Sequence, residues 1–286
     1  MQHDILDAIT QDEINLELLI CTDVLKLESL HFGLWNDDEH LTLSNLRAAQ
    51  ARYTKHLIAQ IPGGVQTVLD VGCGVGDVAR GLARAGYAVT AISPDRNHEK
   101  YVNGTENGSV AFHNVRFEAF DHEETFDLIL MSESQNYFDA DIGFRQCRRF
   151  LREGGHLIVS GMLKKYGATA FEQMTNVEED YLEKARRHSF QMTASTDITE
   201  RVLPTMELAR RAYSDYLQPA TKVAELYWER TSKLKRALIR LFFRREAERL
   251  SSIRAYYEDY IDPETFRRNV RYVTKRFVYA PGNLQG

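Results

Sequence analysis

The sequence predicts an α/β protein: a mostly parallel seven-stranded sheet with helices on both faces, a helical lid before it and a helical cap inserted before the last strand. Three observations carry this reading. From residue 67 onward, short apolar runs alternate with helical stretches, the rhythm of βαβ units. One of these runs, Val68-Leu69-Asp70-Val71, passes straight into Gly72-Cys73-Gly74-Val75-Gly76, so a strand, a glycine loop and a helix follow in immediate succession. The chain's 286 residues also exceed the usual domain of about 100–200 residues, which leaves room for additions around one elaborated core.

Composition excludes several other classes. With 43% hydrophobic and 27% charged residues and six prolines, the chain is globular rather than disordered or collagen-like. Cys21, Cys73 and Cys147 are odd in number and far apart, which argues against a disulfide framework or a cysteine-held zinc and for the cytoplasm. The first 25 residues carry Asp4, Asp7, Asp12, Glu13, Glu17 and Asp23 but no Lys or Arg, the reverse of a signal or transit peptide. No apolar run approaches the roughly 20 residues of a membrane helix. A net charge of −5 gives no reason to expect nucleic acid.

Taken in order, Thr10-Gln-Asp-Glu13 resembles a capping box, and Ile14, Leu18, Val24 and Leu25 continue a helical stripe. A second helix is expected over 43–60, ended by Pro62 and Gly63-Gly64. Between these helices lies the aromatic segment His31-Phe32-Gly33-Leu34-Trp35, which could pack the lid or line a pocket. Strands are expected at 67–71, 87–92, 110–117, 126–131, 156–160, 190–198 and 271–279. Asp77 suits the N-cap of the first core helix, Gly86 its end, and Asp139 or Asp141 the N-cap of the helix closing at Gly154-Gly155. A helical stretch is expected up to about His188, and another across 199–268. The units are then a lid at 1–62, a core at 63–198, a cap at 199–268 and the last strand with its tail at 269–286. Within the cap, residues 229–250 hold eight basic and three acidic side chains. Leu234, Leu238, Leu241, Phe242 and Leu250 give that stretch one apolar face; its arginines form either a solvated face or a positive surface for an anionic substrate, partner or membrane.

The glycine loop carries the chemistry. Glycines let the backbone turn sharply and approach a ligand with no Cβ in the way. Dinucleotide folds space theirs as G-x-G-x-x-G and seat a pyrophosphate on the helix N-terminus. Here Gly72, Gly74 and Gly76 alternate and Asp77 follows, which would repel a diphosphate, while Asp70 suits a cationic ligand.

These residues resemble motif I of class I S-adenosylmethionine-dependent methyltransferases, a Rossmann-like family. Phe126-Asp-Leu-Ile-Leu130 is similar to its fourth strand and Leu151-Arg-Glu-Gly-Gly-His-Leu157 to its turn into the fifth. His31–Trp35 and Asp197-Ile-Thr-Glu-Arg-Val-Leu-Pro204 are similar to the tocopherol, sterol and cyclopropane-forming subgroup. The resemblance implies S-adenosylmethionine as cofactor, with Asp70, Gly72, Cys73 and Gly74 against its methionine part. It places Ser93, Pro94 and Asp95 near the ribose, although Ser93 stands where the family has an acidic residue, so either Ser93 or Asp95 makes that contact. Phe120 and Asp121 would face the adenine, and Ser132 and Glu133 would complete the cofactor set. His31, Glu133 and Tyr137 are the expected contacts to the acceptor or catalytic base. His98, His113 and His122 show no ligand spacing, and no metal is expected. The implied activity is in-line methyl transfer to a small-molecule acceptor such as a secondary metabolite, quinone or lipid-like compound. The alternatives are a non-methylating use of the cofactor (cyclisation, decarboxylation or aminopropyl-type transfer) or a catalytically silent cofactor-binding partner protein.

Overall fold

The computed structural model describes residues 16–102, 110–172, 174–230 and 262–283. Its centre is a seven-stranded sheet in the order β3-β2-β1-β4-β5-β7-β6. The strands are β1 (Thr67–Val71), β2 (Ala88–Ser93), β3 (Val110–Asn114), β4 (Phe126–Ser132), β5 (Leu151–Lys164), β6 (Phe190–Asp197) and β7 (Val270–Tyr279). Only β7 runs antiparallel to its neighbours, between β5 and β6. The chain leaves β1 towards β2 and β3 on one side and reaches β4 and β5 on the other. Order therefore reverses between β1 and β4, where an open α/β sheet holds its ligands beyond the strand ends.

Side-chain alternation divides the core into two layers. Val68, Leu128, Leu130, Ile158 and Tyr272 pack with Tyr53 and Leu57 of α2 (Leu43–Ala59) and Ala79 and Leu82 of α3 (Asp77–Arg84). Leu69, Val71, Ile129, Met131, Leu157 and Val159 pack on the opposite layer with Phe144 and Phe150 of α5 (Ala140–Phe150). Asp70 thus falls on the layer that faces α2 and α3. Further along that layer Ser132, Ser160 and Thr274 stand in register on β4, β5 and β7, so the sheet turns polar where the site begins.

Several boundaries differ from expectation, for local reasons. Gly76, at φ +76°, takes the N-cap of α3, and Asp77 is the first helical residue, its side chain turned to other partners. A 3₁₀ turn at Phe117–Ala119 ends β3 early. Leu151 already pairs with Phe126, so β5 begins directly after α5 instead of after a glycine turn. Asp139 caps α5 by accepting from the N–H of Ile142, while Asp141 pairs with His188. Of the helix expected up to His188, only α6 (Glu178–Arg187) forms. The cap begins with α7 (Thr199–Ala212), a π turn and α8 (Gln218–Arg230), and α9 (Pro263–Asn269) leads into β7. The capping box at Thr10 and the basic segment beyond Arg230 lie outside the described residues.

The lid begins with α1 (Leu16–Leu19), and its aromatic segment is held by main-chain and side-chain bonds from α2 and α7. Leu34 N–H donates to Ala49 O (2.8 Å) and Trp35 N–H to Arg201 O (2.9 Å). Trp35, 1% exposed, gives its indole N–H to Thr205 (2.8 Å), and Thr205 bonds Phe32 O in turn. Trp35 therefore joins lid, α2 and cap. We predict that Trp35→Ala costs about 3–5 kcal/mol, as for other buried large aromatics, read as a lower denaturant midpoint; an unchanged midpoint would show that the lid packs independently of the sheet.

Candidate active site

A cavity of about 530 Å³ opens at the reversal point. Its floor is the glycine loop, its cofactor-side wall the ends of β2 and β4, and its roof the lid and α7. Asp70, Gly72, Cys73, Gly74, Ser93, Pro94, Asp95, Ser132, Glu133, His31 and Tyr137 all line it. The N–H groups of Gly72 and Cys73 both bond Ile92 O (2.9 and 3.1 Å), which ties the loop to β2. Gly72 has φ +75°, and a Cβ there would stand 2.5 Å from that of Ser134. Ser134 cannot retreat freely, because its hydroxyl donates to Val71 O. At Gly74, φ +52°, a Cβ would meet only Leu30 Cδ1 at 3.6 Å, so this position opens onto the cavity.

Asp70 is 1% exposed, and its Oδ2 is buried without a hydrogen-bond partner. Burial pushes its carboxyl up to about 7, with the charge of Asp77 adding to the effect. Burial also acts against ionised Asp77, but His31 and hydrogen bonds from His31, Ser29 and Thr54 outweigh it and hold that carboxyl at about 2. The contacts are His31 Nε2 to Asp77 Oδ2 at 3.0 Å and Thr54 Oγ1 to the same oxygen at 2.9 Å. Two neighbouring carboxyl groups thus differ: Asp77 is compensated, whereas Asp70 Oδ2 has no hydrogen-bond partner.

Glu133 follows β4 at φ +60°. Its N–H extends the sheet to Ser160 O (2.7 Å), and its Oε1 accepts from Phe32 N–H (3.1 Å) and from the Tyr272 hydroxyl. Tyr272 also lies 3.2 Å from the Tyr53 hydroxyl, itself 3.2 Å from Ser132 Oγ. Burial raises the Glu133 carboxyl, and His31, Tyr272 and Phe32 offset part of that rise. Tyr137 stands at the mouth, 59% exposed.

At the end of β2, Ser93 Oγ lies 2.8 Å from His98 Nδ1 and accepts the Asp95 N–H. Asp95 Oδ1 accepts both the backbone and side-chain N–H of Asn97 at 2.8 Å. His98 joins this wall, a placement its spacing did not reveal.

Phe120 and Asp121 lie outside the cavity, which corrects their expected place beside the adenine. The 3₁₀ turn brings Arg116, Phe117 and Glu118 to that wall instead. It sends Phe120 into the core against Phe150 (5.0 Å between rings) and Asp121 to the surface, 81% exposed and paired with Arg149 at 2.5 Å. Sequence reasoning also missed Tyr53, Thr54 and Tyr272. They carry no motif and reach the site only because α2 and β7 pack on the same layer as Asp70.

These residues fit S-adenosylmethionine. The orphaned Asp70 oxygen suits an ammonium, the open Gly74 admits a ligand against the backbone, and the end of β2 offers polar groups for a ribose. Among the described residues no group of His, Cys, Asp and Glu forms a metal site.

Asp70 yields a prediction with a defined sign. Its folded value, about 7, exceeds the unfolded 3.8, so the folded state holds the extra proton and loses stability as pH rises between those values. Asp70→Asn should raise the melting temperature of the ligand-free protein at pH 8, with the gain fading towards pH 4, and should abolish cofactor binding. A lower melting temperature at pH 8 would show that the carboxylate is already compensated.

A family model described as a methyltransferase domain matches residues 69–159. Methyltransferase GfsG of Streptomyces halstedii is 26% identical over 200 residues, covering 62% of this chain and 71% of the relative. The S-adenosyl-L-methionine-dependent Diels-Alderase iliD of Neonectria sp. (strain DH2) is 29% identical over 143 residues, 49% of this chain and 57% of that protein. The chain therefore spans little more than half the length of iliD. Among solved structures, geranyl diphosphate C-methyltransferase from Streptomyces coelicolor A3(2), with Mg²⁺, geranyl diphosphate and S-adenosyl-L-homocysteine, shares the fold at TM-score 0.66 and 17% identity, covering 98% of this chain and 97% of that one. The glycine loop, the sheet order and the matched model identify residues 69–159 as a methyltransferase domain of the class I S-adenosylmethionine-dependent type.

Proposed function

We propose that the protein methylates an uncharged, largely apolar small-molecule acceptor at a protic nucleophile such as an enol or phenol hydroxyl. One observation carries this reading. The roof of the cavity is built from Leu18, Leu27, Leu30, Leu46, Met206 and Ala209, with Phe138 near the mouth, and Glu133 sits beneath them with a raised carboxyl. Such walls favour an apolar body, and among the described residues the roof offers an acceptor diphosphate no lysine or arginine. When bound, S-adenosylmethionine supplies an electrophilic methyl group on a sulfonium.

The chain's own contribution is positional. In-line displacement is favoured by near-attack geometry and the exclusion of water, and the lid and α7 close the cavity for both. Glu133, at the end of β4, is placed to take the acceptor's proton. Burial raises its carboxyl, which makes it a stronger base than an exposed glutamate. Phe32 N–H and Tyr272 fix its orientation. Tyr137 at the mouth is the second proposed acceptor contact. Ser93, Pro94 and Asp95 hold the ribose end. The lid at 1–62 and the cap at 199–268 serve as the acceptor-selecting units around the core at 63–198. The free cysteines favour a cytoplasmic protein, and the net charge favours a small molecule over nucleic acid as partner.

The likeness to iliD supports a second reading, in which the cofactor is bound but the reaction is a cyclisation. Product analysis separates the two. With cofactor and an enol- or phenol-bearing acceptor panel, methylation gives a mass gain of one CH₂ and an equal yield of S-adenosylhomocysteine; isomerised product without consumption of cofactor would support cyclisation. Within the methylation reading, Glu133→Gln should lower kcat by about 10²–10⁴-fold, the usual share of general-base catalysis, with little change in cofactor affinity. Full activity in that variant would remove Glu133 from the chemistry.

A further inference from the structure

The methionine end of S-adenosylmethionine carries an α-ammonium and an α-carboxylate, and Asp70 can answer only the first. Among the described residues no lysine lines the cavity, and its one arginine, Arg116, sits on the connection after β3, at the wall formed with Phe117 and Glu118. The cation-capable group next to the glycine-loop end is His31.

His31 is 7% exposed and lines the cavity. Its Nε2 lies 3.0 Å from Asp77 Oδ2 and its Nδ1 is buried without a hydrogen-bond partner. The ring packs against Tyr53 at 4.3 Å between centroids, and Gln50 fixes the main chain by donating to His31 O at 2.8 Å. Around it stand the carboxylates of Asp77 and Glu133, with Asp70 coupled to Asp77 behind them. His31 therefore belongs to the charged cluster of the glycine loop. Among the described residues the roof is lined mainly by apolar side chains and carries no carboxylate to pair an imidazole.

We propose that His31 binds the α-carboxylate of the cofactor's methionine end, and is a cofactor anchor rather than the base that removes the acceptor's proton. Held between the Asp77 carboxylate and the ligand's, the imidazolium form would donate Nε2–H to Asp77 and Nδ1–H to the ligand. Such a charge-assisted bond is about twice as strong as a neutral one. The resulting order of charges alternates from Asp77 through His31, the ligand carboxylate and ammonium, to Asp70, so each buried charge faces an opposite one. Asp77, which caps no helix, gains a purpose: it orients the histidine ring. This inference rests on the seat of the cofactor's amino-acid end at Asp70.

Calorimetry on the full chain with two ligands tests it: S-adenosylmethionine and its decarboxylated analogue, which lacks only the carboxylate. Wild-type protein should prefer S-adenosylmethionine. His31→Ala should weaken S-adenosylmethionine by about 10- to 100-fold, the range for a lost hydrogen bond to a charged group, and leave the decarboxylated analogue unchanged. His31→Gln, which keeps an N–H donor and most of the volume, should recover part of the loss and serves if the alanine variant does not fold. Equal losses for both ligands in His31→Gln would make the role structural and overturn the proposal. Unchanged affinity for both, with a fall in kcat, would make His31 the base and overturn it equally. Wild-type protein that binds neither ligand would overturn the cofactor reading itself, a result distinct from either.

Discussion

A carboxylate buried without a partner is expensive, and this fold places one at the point where strand order reverses. Asp70 is buried on both sides by neighbouring strands, one of its oxygens has no hydrogen bond, and Asp77 lies close enough to raise it further. Ordinary packing would replace such a residue with an apolar one. Its presence makes sense when the partner of that oxygen is a ligand's ammonium, so that the stability it costs the fold returns as binding energy. The glycine loop and the reversal between β1 and β4 meet at that residue, and the lid reaches its neighbour Asp77 through His31.

The lid completes the site through hydrogen bonds as much as through apolar contact. Phe32 N–H and Tyr272 meet on one oxygen of Glu133, so a single carboxylate joins the lid, the end of β4 and the antiparallel β7. His31, one residue earlier, joins the lid to the start of α3 through Asp77. Adjacent lid residues thus hold the two halves of the reversal point, β1 with α3 on one side and β4 with β7 on the other. The same short segment therefore lines the cavity beside both Asp77 and Glu133.

Much of this was legible in sequence because it is local. Strand β1, the glycine loop and the following helix form one continuous stretch, and the period-2 and helical patterns mark all seven strands to within a few residues, except the early start of β5 and the early end of β3. The cavity wall after β3 was not legible, because a 3₁₀ turn of three residues decides whether Glu118 or Asp121 faces the cavity, and no residue pattern announces that turn. Asp77 was misplaced as a cap since its value as a helix starter is real, but Gly76 can take the left-handed N-cap position and frees the carboxylate for His31. Tyr53 and Tyr272 lie 219 residues apart and meet only through the sheet's topology.

The central claim is that the cofactor's amino-acid end sits at Asp70 and its adenosine at the end of β2. A crystal structure with S-adenosylhomocysteine bound tests it most directly. The account predicts the ligand's ammonium within hydrogen-bond distance of Asp70 Oδ2 and its ribose against Ser93, Asp95 and His98. A ligand bound in the reverse sense, or one leaving Asp70 Oδ2 without a partner, would contradict it.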